Sequence, residues 1–293
     1  MKGQWNGKSR GGALGNWFFV VTLKYAGVRA AYVLLAFVAP YFVPFAPKAT
    51  RAIYRYNRSI LGYGRVWSFL KIFHHFYVFG QTIIDKIALK HGIDKPYTFD
   101  YSNYDELLQL LDSGRGVMFI GAHVGSWEVG APYFNKYGKS MNVVMLDAEY
   151  ERIKHVIDDG AEKSDFKVIP VGDDGLDVVL KIKTALDNKE YVCLQGDRFM
   201  DESNSFVHSF MGHDARFPKG LFQIAAKLNV PVVFYYAMRH RGCRYSFTFQ
   251  IADTVARSSS ERFDKIVDQY IASLQDVVRQ YPQQWFNFYD FWS

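Results

Sequence analysis

The amino-acid sequence predicts an α/β protein with a mostly parallel central sheet flanked by helices. Short apolar runs such as residues 117–120 and 191–194 recur along residues 97–293, and amphipathic stretches such as residues 175–186 lie between them. Strands that alternate with helices are typical of a sheet that is mostly parallel at its centre. We therefore predict one α/β domain at residues 97–293 and an N-terminal helical segment at residues 1–96.

The N-terminal segment is strongly basic. Residues 1–84 contain 11 Lys or Arg and no Asp or Glu, whereas the remaining chain has 24 basic and 29 acidic residues, so the net charge of +6 originates in this segment. The basic residues are Lys2, Lys8, Arg10, Lys24, Arg29, Lys48, Arg51, Arg55, Arg58, Arg65 and Lys71. Basic residues interleaved with aromatic ones favour an anionic membrane surface. A solvated basic face is the alternative, and no nucleic-acid module is recognisable, so we expect no nucleic-acid partner.

Two apolar runs lie within this segment, at residues 13–23 and 30–47. The second is 18 residues long and uncharged, at the edge of the transmembrane range of about 17–25 residues. Pro40 and Pro44 lie inside it, and proline costs about 3 kcal/mol in a helix interior. We therefore expect a peripheral or monotopic helix at the membrane interface. A core helix of a soluble protein and a signal peptide are the alternatives.

Apolar periodicity predicts the remaining elements. The predicted helices are residues 48–60, 64–90, 104–111, 149–158, 175–186, 220–228 and 263–281. The predicted strands are residues 97–101, 117–120, 142–146, 167–171, 191–194, 230–235 and 245–251.

Residues 117–130 contain the clearest chemical motif. Gly121 and Gly125 indicate a tight turn after the strand at 117–120, and Ser126 is a typical N-cap for a following helix. Ser126 is not expected to be a nucleophile, because a Gly-x-Ser-x-Gly motif would need glycine where this chain has Val124 and Glu128.

His123 and Glu128 can meet across this turn, because one lies on the loop and the other on the helix. An imidazole oriented by a carboxylate is a general base that can take a proton from a hydroxyl group. The alternative is a loop histidine beside a glutamate that interacts favourably with the helix dipole.

His-x4-Glu after a strand resembles the catalytic motif of the lysophospholipid acyltransferase superfamily. The local form Gly-Ala-His-Val-Gly-Ser-Trp-Glu is most similar to the branch of late acyltransferases of lipid A biosynthesis. The resemblance implies that His123 and Glu128 are catalytic. Backbone amides of the turn, including Gly125, are candidates to stabilise an oxyanion.

Gln-Gly-Asp-Arg follows the strand at 191–194, where ligands bind in open α/β sheets. Asp197 and Arg198 are therefore candidate substrate-binding residues, and the arginine fork suits phosphate or carboxylate. An ion pair that fixes the loop is the alternative. The position resembles the second motif of the superfamily, where an arginine helps to hold the acceptor.

Residues 210–220 are similar to the third motif of the superfamily. The resemblance implies substrate binding by Gly212, Arg216, Lys219 and Gly220, since amides and cations at a helix start favour an anion. Lys219 stands where the glycerolipid branch usually has Glu, which favours a lipid A-like acceptor over glycerol 3-phosphate.

The residues and the resemblance together predict an acyltransferase that moves a fatty acyl group to a hydroxyl of a membrane lipid. The donor is expected to be a thioester of acyl carrier protein or coenzyme A, at the cytoplasmic face of the inner membrane of a bacterium. No metal and no bound cofactor are expected. A thioesterase- or lipase-type hydrolase and a non-catalytic peripheral lipid-binding protein are the alternatives.

Two further features fit this prediction. Cys193 and Cys243 are isolated, which indicates a reducing compartment. The aromatic end of the chain, residues 281–292, could cover an apolar groove, and it is very similar to the end of a bacterial subgroup of the superfamily.

Overall fold

The computed structural model of the protein describes residues 13–130, 140–146, 166–172, 175–199 and 202–292. Its helices are α1 (Ala13–Phe45), α2 (Pro47–Arg55), α3 (Arg65–Lys90), α4 (Tyr104–Asp112), α5 (Gly175–Asp187), α6 (Gly220–Leu228) and α7 (Ser259–Gln280). Its strands are β1 (Thr98–Ser102), β2 (Val117–Gly121), β3 (Met141–Leu146), β4 (Lys167–Val171), β5 (Tyr191–Gln195), β6 (Ser205–Phe210), β7 (His213–Pro218), β8 (Val232–Arg239) and β9 (Arg244–Ile251). The helix predicted at 149–158 lies outside the described residues.

Seven strands form one sheet in the order β1-β9-β8-β2-β5-β3-β4. Strands β8, β2, β5, β3 and β4 are parallel, and β9 pairs antiparallel with β8. All five residues of β2 are buried, as expected for a central strand covered on both faces. The predicted α/β class with a mostly parallel sheet is therefore confirmed.

Strands β6 and β7 form a separate antiparallel hairpin that the sequence analysis did not predict. Met211 and Gly212 make its two-residue turn, with φ of 56° and 82°, and positive φ at both positions is typical of tight hairpin turns. Phe210 and Phe217 are fully buried, so the inner face of the hairpin joins the core.

Several predicted boundaries differ from the structure. The helix expected at residues 48–60 ends at Arg55 and continues as a π-helical turn, Tyr56–Ile60. Strand β8 begins after Pro231, which has no N–H to donate. Helix α7 begins four residues before the expected 263, because the Ser258 hydroxyl caps it by accepting from the Glu261 amide.

Helices α1 and α3 share a hydrophobic core with the sheet. One face of α1, including Leu23, Ala31 and Leu35, belongs to the same cluster as Ile84 and Ala88 of α3 and the central strands. Nothing in this packing tests the predicted boundary at residue 96, which stays a prediction.

Helix α1 continues through Pro40 and Pro44 and breaks instead at Gly27, where φ is 80° and ψ is 177°. Residues Phe19–Phe45 are long and apolar enough to cross a membrane, and 22% of their most apolar window is buried within the protein. Core helices and signal sequences share these properties, so they do not establish a span.

A buried polar cluster fastens the N-terminal helices to the sheet. The Asp85 carboxylate of α3 is fully buried and accepts hydrogen bonds from Tyr97 Oη at 2.9 Å, Tyr245 Oη at 2.6 Å and Arg239 Nε at 2.8 Å. It also accepts from the Tyr32 hydroxyl of α1. A buried charge of this kind is tolerated only when it is paired and fully hydrogen-bonded.

We expect Asp85→Asn to lower the free energy of unfolding by about 3 kcal/mol, because it leaves the Arg239 charge buried without a partner. The matched control is Asp100→Asn, which removes an exposed carboxylate 3.6 Å from Arg244 and should cost at most about 1 kcal/mol. Urea unfolding of both variants measures the difference. Equal losses of stability would contradict a structural role for the Asp85 cluster.

Candidate active site

The candidate site forms where β2 and β5 end side by side. Gly121 is in register with Gln195, and the Gly196 amide donates to the Gly121 carbonyl at 2.9 Å. The loops that follow the two strands therefore start next to each other. This adjacency brings His123 and Asp197 together although they are 74 residues apart in the chain.

Asp197 is the hydrogen-bond partner of the His123 ring. Its Oδ1 lies 2.7 Å from His123 Nδ1, and its Oδ2 accepts the His123 backbone amide at 3.0 Å and the Trp285 indole N–H at 3.1 Å. The aspartate side chain is fully buried, and the histidine side chain is 23% exposed. A carboxylate accepts only, so we assign the ring proton to Nδ1, which leaves Nε2 as the proton acceptor.

Asp197 is held in the ionised form. Burial raises the pKa of its carboxyl, but the charge and hydrogen bond of His123, the charge of Arg198 and the Trp285 hydrogen bond together lower that pKa to about 2. Because this value lies below the ordinary one, the stability that the carboxylate contributes is complete above about pH 4 and is lost as the pH falls towards 2. At neutral pH Asp197 is therefore a carboxylate.

Glu128 does not orient His123 in the structure, and this prediction was wrong. Residues Trp127–Gly130 form a 3₁₀ turn, and the Glu128 carboxylate pairs with the Lys86 ammonium of α3. The expected position beside Nδ1 is occupied by Asp197, which arrives from the neighbouring strand. Any other role of Glu128 in a reaction stays a prediction.

Gly125 is required by the backbone of the loop. Its φ is 66°, and a side chain there would bring Cβ to 2.0 Å from the Ala237 carbonyl oxygen. Its amide donates to the Gln284 carbonyl at 2.9 Å, and the Ser126 amide donates to Ala237 at 2.9 Å. These two amides are occupied, so the structure does not offer them to an oxyanion.

Arg198 lies beside the dyad and faces the end of the chain. Its Nη2 donates to the Phe286 carbonyl at 3.0 Å. Its Nε is buried and makes no hydrogen bond to any residue that the structure describes. The positive charge of the guanidinium acts on the Asp197 carboxylate next to it.

The other four candidate residues contact different neighbours. Arg216 Nη1 donates to the Ser205 hydroxyl at 3.3 Å, and the Lys219 amide donates to the Asn204 carbonyl at 3.0 Å just before α6 begins at Gly220. Gly212 is exposed at the tip of the hairpin. Within the described ranges, no contact joins these four residues to His123 or Asp197, and their substrate-binding roles remain predictions.

The sequence analysis missed two parts of the site. The sequence predicts Asp197 as a substrate-binding residue, although a carboxylate directly after one strand can also be matched to a histidine after the neighbouring strand. The tail was expected only to cover a groove, and no local sequence pattern connects Gln284, Trp285 or Phe286 with the His123 loop.

The structure is that of an α/β protein with a buried carboxylate that orients an imidazole. The pair lies at the carboxyl ends of a mostly parallel sheet, where ligands bind in such folds. An imidazole oriented in this way is suited to take a proton from a hydroxyl group. Comparison with known families is more specific. Residues 72–293 match the model of the bacterial lipid A biosynthesis acyltransferase family, and the chain belongs to this family. Membership implies acyl transfer onto a lipid, and therefore an acyl donor and a lipid acceptor. No curated protein matches the chain.

Proposed function

We propose that the protein is an O-acyltransferase that moves a fatty acyl group from a thioester to a hydroxyl of a membrane lipid, with His123 as the general base. The observation that carries this proposal is the short contact between His123 Nδ1 and the buried Asp197 carboxylate, within a chain that belongs to an acyltransferase family. The donor is acyl carrier protein or coenzyme A, and no metal or bound cofactor takes part.

The reaction proceeds by direct transfer. His123 Nε2 accepts the proton of the lipid hydroxyl, and the oxygen attacks the thioester carbonyl carbon. A C–O bond forms, the C–S bond breaks, and the imidazolium returns its proton to the departing thiolate. Asp197 stays ionised throughout and stabilises the imidazolium, as a carboxylate does in a triad.

The oxyanion of the tetrahedral intermediate needs donors close to His123. Arg198 and Lys219 are the two candidate cations, and Arg198 is the better one, because it follows Asp197 directly and its charge acts on that carboxylate. Stabilisation of developing charge by preorganised donors is commonly the largest catalytic contribution. Lys219 and Glu128 remain candidates for contacts with donor or acceptor.

The acceptor is proposed to be a lipid A-like molecule or another lipid with a free hydroxyl. Arg216, Lys219 and the amides at the start of α6 suit a phosphate on that acceptor or on the donor. Gly212 and Gly220 leave backbone accessible at the two ends of this stretch.

The N-terminal helices offer a surface for the cytoplasmic face of an inner membrane. Large apolar side chains are exposed on α1 and α3, including Phe37 at 78%, Val66 at 71% and Trp67 at 63%. Exposed cations lie on α2, which connects the two helices, among them Lys48 and Arg51. Apolar side chains next to cations bind interfaces that carry anionic lipid.

His123→Ala should lower the transfer rate by about 10²–10⁴-fold, because it removes the general base. The measurement is transfer of a labelled acyl group from acyl carrier protein or coenzyme A to a lipid acceptor, with hydrolysis of the thioester measured without acceptor. Ser126→Ala should transfer at the wild-type rate, and both variants are verified to be folded at the assay temperature.

Three outcomes would count against the proposal. Full transfer by His123→Ala would exclude the assigned base. Thioester hydrolysis without acceptor that disappears in Ser126→Ala would favour a hydrolase. Lipid binding without any turnover, unchanged in His123→Ala, would favour a lipid-binding protein.

Reversal of two cations on α2, Lys48→Glu with Arg51→Glu, should weaken binding to vesicles that contain phosphatidylglycerol by at least about tenfold, since each cation near such a surface contributes about 1 kcal/mol. Wild-type binding should fall as salt rises. The matched control reverses the charges of Lys227 and Arg257 by substitution with Glu, because both residues are exposed elsewhere on the protein. Vesicle sedimentation gives the comparison, and equal binding by both double variants would contradict the assigned surface.

A further inference from the structure

Residues 283–292, called here the C-terminal tail, lie between the N-terminal helices and the His123 loop. On the helix side, the ring of Trp285 lies 5.4 Å from that of Tyr56, and the ring of Phe286 lies 5.8 Å from that of His75. Burial is the main cause that lowers the pKa of His75 to about 3, so this face of the tail is packed against a neutral imidazole.

On the other side, the backbone of the tail is bonded to the site. The Phe286 amide donates to the His123 carbonyl at 2.8 Å, and the Gln284 carbonyl accepts the Gly125 amide at 2.9 Å. The Phe286 carbonyl accepts from Arg198 at 3.0 Å. Two residues of the tail, Gln284 and Phe286, therefore bind the His123 loop through their backbone, and Phe286 also binds Arg198.

Trp285 makes the one side-chain hydrogen bond from the described part of the tail to the Asp197 carboxylate. The indole is 2% exposed and is enclosed by Tyr56, Phe210 and Phe291, with ring centroids 5.4, 5.5 and 4.9 Å away. Its N–H therefore has little freedom to leave the carboxylate.

We propose that Trp285 is a positioning residue of this enzyme, which acts through Asp197 on His123. The inference rests on the proposed function and deepens it. Asp197 Oδ2 accepts from two N–H groups, the His123 amide and the Trp285 indole. These two hydrogen bonds prevent the carboxylate from rotating, so Oδ1 remains directed at the imidazole. Without the indole N–H, one of these two restraints is lost.

If Trp285 acted only by packing, replacement of another tryptophan that packs on Tyr56 and Phe210 would have the same effect on catalysis. Trp292 supplies the matched control. Its ring also contacts Tyr56 and Phe210, and its indole donates to the Phe210 carbonyl at 3.2 Å rather than to Asp197. Replacement by phenylalanine removes one indole N–H in each case.

Several other groups act on the Asp197 carboxylate and are unchanged in both variants. They come from the His123 loop, the Asp197 loop, β8, α7 and the tail, and they are His123, Arg198, Tyr236, Tyr270 and Tyr289. A difference between the two variants is therefore attributable to the indole N–H.

Trp285→Phe should lower kcat by at least about tenfold, the effect of losing one hydrogen bond to a charged group, with KM for donor and lipid changed by less than about twofold. The acid limb of the kcat profile should move to higher pH, because a carboxylate with one donor fewer attracts the imidazole proton more strongly. Trp292→Phe should retain the wild-type kcat and pH profile. Equal behaviour of the two variants would overturn the proposal.

A second measurement needs neither turnover nor a Trp285 variant. In protein labelled with ¹⁵N-tryptophan, Asp197→Asn should shift the Trp285 indole N–H resonance and leave that of Trp292 in place. An unshifted Trp285 resonance would overturn the positioning role. If the wild-type protein transfers no acyl group, the proposed function fails, whereas the resonance still reports whether the indole holds Asp197.

Discussion

The candidate site depends on the hydrogen bond between Asp197 and His123, 2.7 Å long. The carboxylate is fully buried, and a buried charge is costly unless hydrogen bonds replace its water. Here the His123 amide and the Trp285 indole donate to the carboxylate. Burial raises the pKa of Asp197, but the charge and hydrogen bond of His123, the charge of Arg198 and the Trp285 hydrogen bond lower it to about 2. The same interactions assign the ring proton to Nδ1, which leaves Nε2 as the proton acceptor.

The scaffold produces this pair through the order of its strands. Strands β2 and β5 are parallel neighbours, so their two following loops meet at one edge of the sheet. The tail then lies over these loops, and the Asp85 cluster joins α1 and α3 to the carboxyl end of β8 and to β9. The N-terminal helical segment is thereby connected through packed side chains to the loop that carries His123.

Much of the sheet could be predicted from the sequence, but the pairing within the site could not. The bounds of β2 and β5 agree with prediction to within one residue, because continuous apolar runs bounded by Gly or polar residues indicate central strands. The hairpin was missed since its Met211-Gly212 turn lacks the Asn-Gly or Asp-Gly signal of such turns. Glu128 was chosen as partner of His123 because it is close in sequence, whereas Asp197 becomes close only when the strand order is known.

The most direct test compares single-turnover acyl transfer in Asp197→Asn and Glu128→Gln, each verified to be folded at the assay temperature. The account predicts that Asp197→Asn slows the transfer step by about 10³–10⁴-fold, the effect of losing the tautomer and the charge that support the base, and that Glu128→Gln slows it far less. A large loss in Glu128→Gln with near-normal transfer in Asp197→Asn would contradict the assignment of Asp197 as the partner of His123.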